Sequence, residues 1–202
     1  MTGKAPLIFK IFLLLSLTAP VVSQDRHQIT VAAILDGVEV QHWNWLVSTG
    51  SNFLTSGGGP VLINAGSVTG QVSRLEDVRS YARRSRLDAD LIFVVVASKE
   101  RSRWYAQKVC RNPSAIACTA PELQTGYLLF ARNSYDVSTF LHEIGHNFGL
   151  ADNKDGRDVM YWVASHGTRL TRNYVNLADQ FANGGRSSAR LMACTGRRDL
   201  EQ

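Results

Sequence analysis

The chain has 202 residues, enough for one domain with a substantial core and short for two. It carries +5, from 22 Lys plus Arg against 17 Asp plus Glu, and Lys4 and Lys10 supply two of those charges, which leaves +3 from residue 24 onward. So mild an excess argues against a dedicated nucleic-acid binder, and 45% hydrophobic with 19% charged residues excludes a disordered chain.

The first 23 residues read as an export signal. Lys4 and Lys10 give a positive start, residues 11–17 (IFLLLSL) an apolar stretch, and Val21, Val22 and Ser23 a cleavage region. The apolar run is shorter than the about 20 residues of a spanning helix. A cleaved signal rather than an anchor is therefore expected, with no stable membrane insertion. That predicts a single secreted domain over residues 24–202, periplasmic in a Gram-negative source. Export permits disulfides. Cys110, Cys118 and Cys194 allow one bridge to be drawn three ways. Cys110–Cys118 is favoured, because the two flank the polar stretch RNPSAIA, and Cys194 is then left over.

Residues 29–35 (ITVAAIL) are β-prone and end at Asp36 and Gly37. Over residues 38–53, Val40, Trp43, Trp45 and Leu46 recur at helical spacing. The SGGGP run breaks the chain, and residues 61–64 form a short candidate strand. Residues 73–86 predict a helix with Leu75, Val78 and Ala82 on one face, and Arg79, Arg83, Arg84 and Arg86 read as a solvated face. Residues 91–97 (LIFVVVA) are apolar throughout, as in a strand buried on both sides. A strand over residues 126–131 (GYLLFA), a helix over 136–148 stopped by Gly149, and a last helix over 170–181 complete the alternation. The fold class expected is one α/β (α+β) domain on a mixed twisted sheet.

The specific signal is His142–Glu143–Ile144–Gly145–His146. Positions four apart on a helix lie one above the other, so His142 and His146 can turn imidazole nitrogens to one zinc ion at about 2.0–2.1 Å. Glu143, about 100° round the helix, can reach a water there as general base without occupying a coordination position. The pentapeptide alone arises by chance in roughly one 200-residue sequence in a hundred. Gly149 and Asp152 extend it to HExxHxxGxxD and lower that chance level about 100-fold. Gly149 can take positive φ, end the helix and bring Asp152 in as third ligand. Asp155, Asp158 and His166 are competing third ligands without that spacing. Residues 152–156 (DNKDG) hint at calcium but lack the ligand alternation of an EF-hand loop, and read as a polar turn.

The segment HEIGHNFGLADNKDGRDVMYW resembles the zinc-binding segment of the metzincin metallopeptidases. Its His146-to-Met160 spacing is similar to the matrixin branch, and Asp152 in place of a third His resembles the snapalysin-like members. The resemblance implies His142, His146 and Asp152 as ligands of one catalytic Zn2+, Glu143 as general base, and Met160 in a Met-turn beneath the metal, followed by the C-terminal helix. Tyr161 is a candidate contact to the metal or the transition state, with packing as the bland alternative. The resemblance further implies that the strand before the active-site helix borders the cleft. Residues 126–132, with Tyr127, Leu128, Leu129 and Phe130, would then pair with peptide as an added strand, and residues 159–163 would wall a specificity pocket. No cysteine switch, structural-metal loop or room for a pro-domain is seen.

The function expected is zinc-dependent endopeptidase, acting on protein or peptide as a monomer with no nucleic-acid partner. Two rivals stand beside it: a secreted binding or inhibitory protein on the same scaffold, and a zinc hydrolase of a non-peptide or cell-wall amide.

Overall fold

The computed structural model describes residues 27–129, 137–161 and 167–184. Chain order is β1 (Gln28–Asp36), α1 (Val40–Ser56), β2 (Val61–Thr69), α2 (Leu75–Arg84), β3 (Leu91–Val96), α3 (Lys99–Lys108), β4 (Ala117–Ala120), β5 (Thr125–Leu129), α4 (Val137–Asn147) and α5 (Arg172–Ala182). The strands form one sheet in the order β2-β1-β3-β5-β4. The first four are parallel neighbours, and β4 is antiparallel to β5. This is the mixed sheet that the alternating pattern predicts.

Alternate residues of β1 and β3 feed two cores. Ile29, Val31, Ala33, Leu35, Leu91, Phe93 and Val95 pack under α1, α4 and α5. Ala32, Ile34, Ile92, Val94 and Val96 pack under α2 and α3. Every residue of β3 is buried, as its unbroken apolar run requires. On the first face Phe140 meets Trp43 and Phe93 edge to face, with ring centroids 5.7 and 5.2 Å away. Those contacts fix α4 against α1 and β3, and so set the height of the histidines over the sheet.

Several elements differ from expectation. β2 runs on to Thr69 through a bulge, where the register steps from Asn64 to Gly66 and Gly66 takes φ +113°. The helix α3 and the strand β4 occupy segments that carry no clear apolar period. Arg79 is not part of a solvated face. Its guanidinium donates to the carbonyls of Leu123, Ala89, Asp90 and Gln124 at 2.8–3.0 Å, tying α2 to the chain at the foot of β3 and β5. Cys110 and Cys118 are bonded, at S–S 2.03 Å. Cys194 and His166 lie outside the described residues.

The expected edge strand is corrected. β5 is hydrogen-bonded on both sides, to β3 and to β4, and all five of its residues are buried. After the disulfide, β4 and a 3₁₀ turn over Pro121–Leu123 fold back onto it, with Gln124 in the left-handed region. Tyr127, Leu128 and Leu129 are therefore interior, Tyr127 facing Tyr105 at 5.2 Å and Leu128 lying in the core under α4. Phe130 lies outside the described residues. Among the described residues, β4 is the outermost strand on this flank.

Candidate metal centre

The helix α4 carries His142, Glu143 and His146 and ends in a Schellman motif. Gly149 has φ +93°; its N–H donates to the His146 carbonyl and the Leu150 N–H to the Gly145 carbonyl, both at 3.0 Å. That reversal returns the chain beneath its own last turn and brings Asp152 to the histidines. It also aims the Leu150 carbonyl at His146 Nδ1, 2.8 Å away. His142 Nδ1 likewise meets the Val159 carbonyl at 2.9 Å. A carbonyl can only accept, so each Nδ1 carries the hydrogen and each neutral ring turns a lone pair out at Nε2.

Those lone pairs converge. The two Nε2 atoms are 3.0 Å apart, and Asp152 Oδ1 lies 3.1 Å from that of His142 and 3.4 Å from that of His146. A point equidistant from the three atoms is about 1.8 Å from each, just inside the about 2.0–2.2 Å of zinc bonds to imidazole nitrogen and carboxylate oxygen. His142, His146 and Asp152 would therefore be able to hold one ion among them. Two nitrogens and an oxygen are a donor set that zinc accepts, and a catalytic site needs only three protein ligands. Glu143 completes the group, its carboxylate within 4.8 Å of the ring nitrogens.

Charge agrees with geometry. Burial alone would push His146 down, but its hydrogen bond to Asp152, the Glu143 charge and the Leu150 carbonyl outweigh that and hold its imidazolium up to about 9. Burial would raise the Asp152 carboxyl, yet the His142 and His146 rings held against it keep it well below the usual carboxylate range. The pocket is built to hold positive charge. His142 is almost wholly buried, whereas the Asp152 side chain is 50% exposed, so solvent reaches the group from the Asp152 side.

The floor beneath is close-packed. Met160 sits in a turn closed by the Tyr161 N–H to the Asp158 carbonyl at 3.0 Å and by the Met160 N–H to Asp158 Oδ1 at 2.9 Å. Its sulfur lies so near Gly145 that a Cβ there would stand 2.3 Å from it. Tyr174 of α5 backs the same turn of α4, its hydroxyl donating to the Leu141 carbonyl at 2.6 Å. Burial, with Asp158 nearby, raises the Tyr174 phenol well above its usual value, so it stays a donor.

Two of the three competing third ligands are engaged elsewhere. Asp158 is buried and caps the Met160 turn, and Asp155 faces Arg157 and Arg169. Asn153 Oδ1 accepts the Asp155 N–H at 3.0 Å, so this stretch is organised by its own turns. The Tyr161 ring lies beside Gly156 on those turns. Of the expected pocket wall, Val159 and Met160 are buried and residues 162–166 are outside the described set.

Two site residues have no signature in the sequence. Thr119 of β4 reaches Glu143 with its hydroxyl, against both carboxylate Oε2 and the carbonyl. Asn147 Nδ2 donates to that carbonyl at 2.9 Å, while its own buried Oδ1 has no partner among the described residues. A threonine in a strand and an asparagine late in a helix look ordinary until the fold brings them together.

No protein-family model matches the chain, and no curated protein does. Among solved structures, the crystal structure of archaemetzincin from Methanopyrus kandleri is similar at a TM-score of 0.52 and 12% sequence identity, over 81% of this chain and 99% of that one. At that identity the likeness speaks for the fold, a metzincin-like α/β architecture. It carries nothing specific to matrixins or snapalysins.

Proposed function

We propose that the chain is a zinc-dependent hydrolase of the metallopeptidase kind and, more narrowly, an exported endopeptidase. The observation that carries this reading is the convergence of His142 Nε2, His146 Nε2 and Asp152 Oδ1 on one point, with the Glu143 carboxylate beside it. Bound zinc would supply a Lewis acid for a scissile carbonyl and acidity for a water. Glu143 accepts the proton of the attacking water and delivers it to the departing amine. The Nδ1 bonds to Val159 and Leu150 hold both rings in register, and Met160 under Gly145 keeps the helix at its height. The matrixin-like spacing, the snapalysin-like Asp152 and the N-terminal export signal support the finer reading from sequence.

With β5 interior, the peptide-pairing role passes to β4, the outermost strand beside α4, which would take extended substrate as an added strand. The test is digestion of mixed protein substrates and, separately, of peptidoglycan by zinc-loaded protein, with Glu143→Ala and a chelator alongside. Cleavage of protein that both controls abolish is the expected result. Cleavage of peptidoglycan alone would select the cell-wall amide hydrolase. Zinc binding without cleavage of either would select the binding scaffold.

A further inference from the structure

We propose that Thr119 is a positioning residue for Glu143: its hydroxyl holds one carboxylate oxygen so that the other is turned to the attacking water. The inference rests on the hydrolase reading above and adds to it a residue from a different layer of the fold. Thr119 lies on β4 opposite Gly126, and its hydroxyl approaches two acceptors on Glu143, carboxylate Oε2 and the backbone carbonyl, the latter at 3.1 Å. A hydroxyl has one proton to give. The carbonyl already accepts from Asn147 Nδ2 at 2.9 Å and stands where the helix ladder supplies the Asn147 N–H as well. The carboxylate has the open lone pairs and the charge, and hydrogen bonds to an ionised acceptor are roughly twice as strong as neutral ones. The proton therefore goes to Oε2.

This contact matters because Glu143 is only 4% exposed, so water does little to hold its carboxylate in one orientation. Among the described residues, Thr119 makes the one side-chain hydrogen bond to that carboxylate. The donor is itself held in place. Cys118, the preceding residue, is bridged to Cys110 beyond the end of α3, and the β4–β5 ladder runs from Ala117 to Ala120. The disulfide, the outer strand, the hydroxyl and the general base thus form one mechanical chain, and none of its first three members belongs to the HExxH helix.

Thr119→Val keeps the shape and removes the donor, whereas Thr119→Ser keeps the donor and drops the methyl. In the full zinc-loaded chain, Val should lower kcat about 10–100-fold, the range typical of lost outer partners at metal sites. KM should stay within about twofold and zinc at one per chain, with Ser within about threefold of the parent. An active parent matched by Thr119→Val overturns the proposal, as does equal loss in Val and Ser, which would make the methyl's packing the cause. A parent that binds zinc and cleaves nothing overturns the hydrolase reading itself, a different failure. Independently of turnover, Thr119→Val should lower the Tm of metal-free protein by about 3–8 °C, and by under about 2 °C in a Glu143→Ala background. Equal shifts in both backgrounds would show that the hydroxyl does not bond to Glu143 and overturn the proposal.

Discussion

At the carboxyl end of β1, the buried carboxylate of Asp36 is met by Arg101 on one oxygen and by Gln71 Nε2, at 3.3 Å, on the other. Arg101 also reaches the Tyr105 hydroxyl at 3.3 Å. At the end of α4, by contrast, two imidazole nitrogens and a carboxylate oxygen turn lone pairs on one another within 3.4 Å. The first cluster supplies its own cation in a covalently attached side chain, and so it is complete. The second gathers acceptors about a point where only a proton or an outside cation can sit. A buried acid is thus no sign of function by itself; what separates the two clusters is whether the fold has provided the countercharge.

If that contrast is right, mutations should divide accordingly. The largest effect is expected from Glu143→Ala, which should cut turnover about 10²–10⁴-fold while zinc stays bound, as metal analysis of the purified variant would check. Asp152→Ala removes a ligand and should weaken zinc by at least the about 10–100-fold that loss of an outer partner costs, read by chelator competition; unchanged affinity would return the third position to another donor. Acid should weaken zinc as well. The metal-free site keeps a proton on His146 up to about 9, and a metal must displace it, so affinity should rise about tenfold per pH unit toward that value and level off above it. In metal-free protein, the same raised value contributes stability that is complete below about 6.5 and lost as pH climbs through about 9.

Structural substitutions should show the reverse pattern. Gly145→Ala drives a methyl into the Met160 sulfur and the Tyr174 ring and should cost about 1–3 kcal/mol by denaturant unfolding, with zinc affinity falling only as the helix is displaced. Asp36→Asn, which leaves Arg101 without its acid, should cost about 1–3 kcal/mol and leave zinc affinity untouched. A loss of zinc in Asp36→Asn would mean that the two clusters are not independent.

What the sequence discloses follows from how each contact is encoded. His142, Glu143, His146, Gly149 and Asp152 share one helix and its exit turn, so their geometry is local and their spacing alone places them together. The long elements are legible for a similar reason: α1 and α5 carry apolar residues at helical spacing, and β1 and β3 are apolar runs too short for a helix. α3 does not, since the face it buries is Ser102, Tyr105 and Ala106, too small and polar to register as a stripe. β2 is cut short in a sequence reading because Ala65, Gly66 and Ser67 look like a break, whereas the chain bulges there and continues. The edge is not legible in the sequence because β4 is four residues long and lies at the end of a disulfide loop, where strand propensity over so short a window says little. Thr119 was hidden with it. Its partnership with Glu143 spans 24 residues and exists only once β4 has folded back on β5.

Everything proposed for the site depends on the converging atoms of His142, His146 and Asp152 binding one zinc. X-ray absorption at the zinc edge, on protein loaded with one equivalent, tests it most directly. Two imidazole nitrogens at about 2.0–2.1 Å and a carboxylate oxygen at about 2.0–2.2 Å are expected, with that oxygen lost in Asp152→Ala. A spectrum with a single imidazole, or one unchanged by Asp152→Ala, would contradict it.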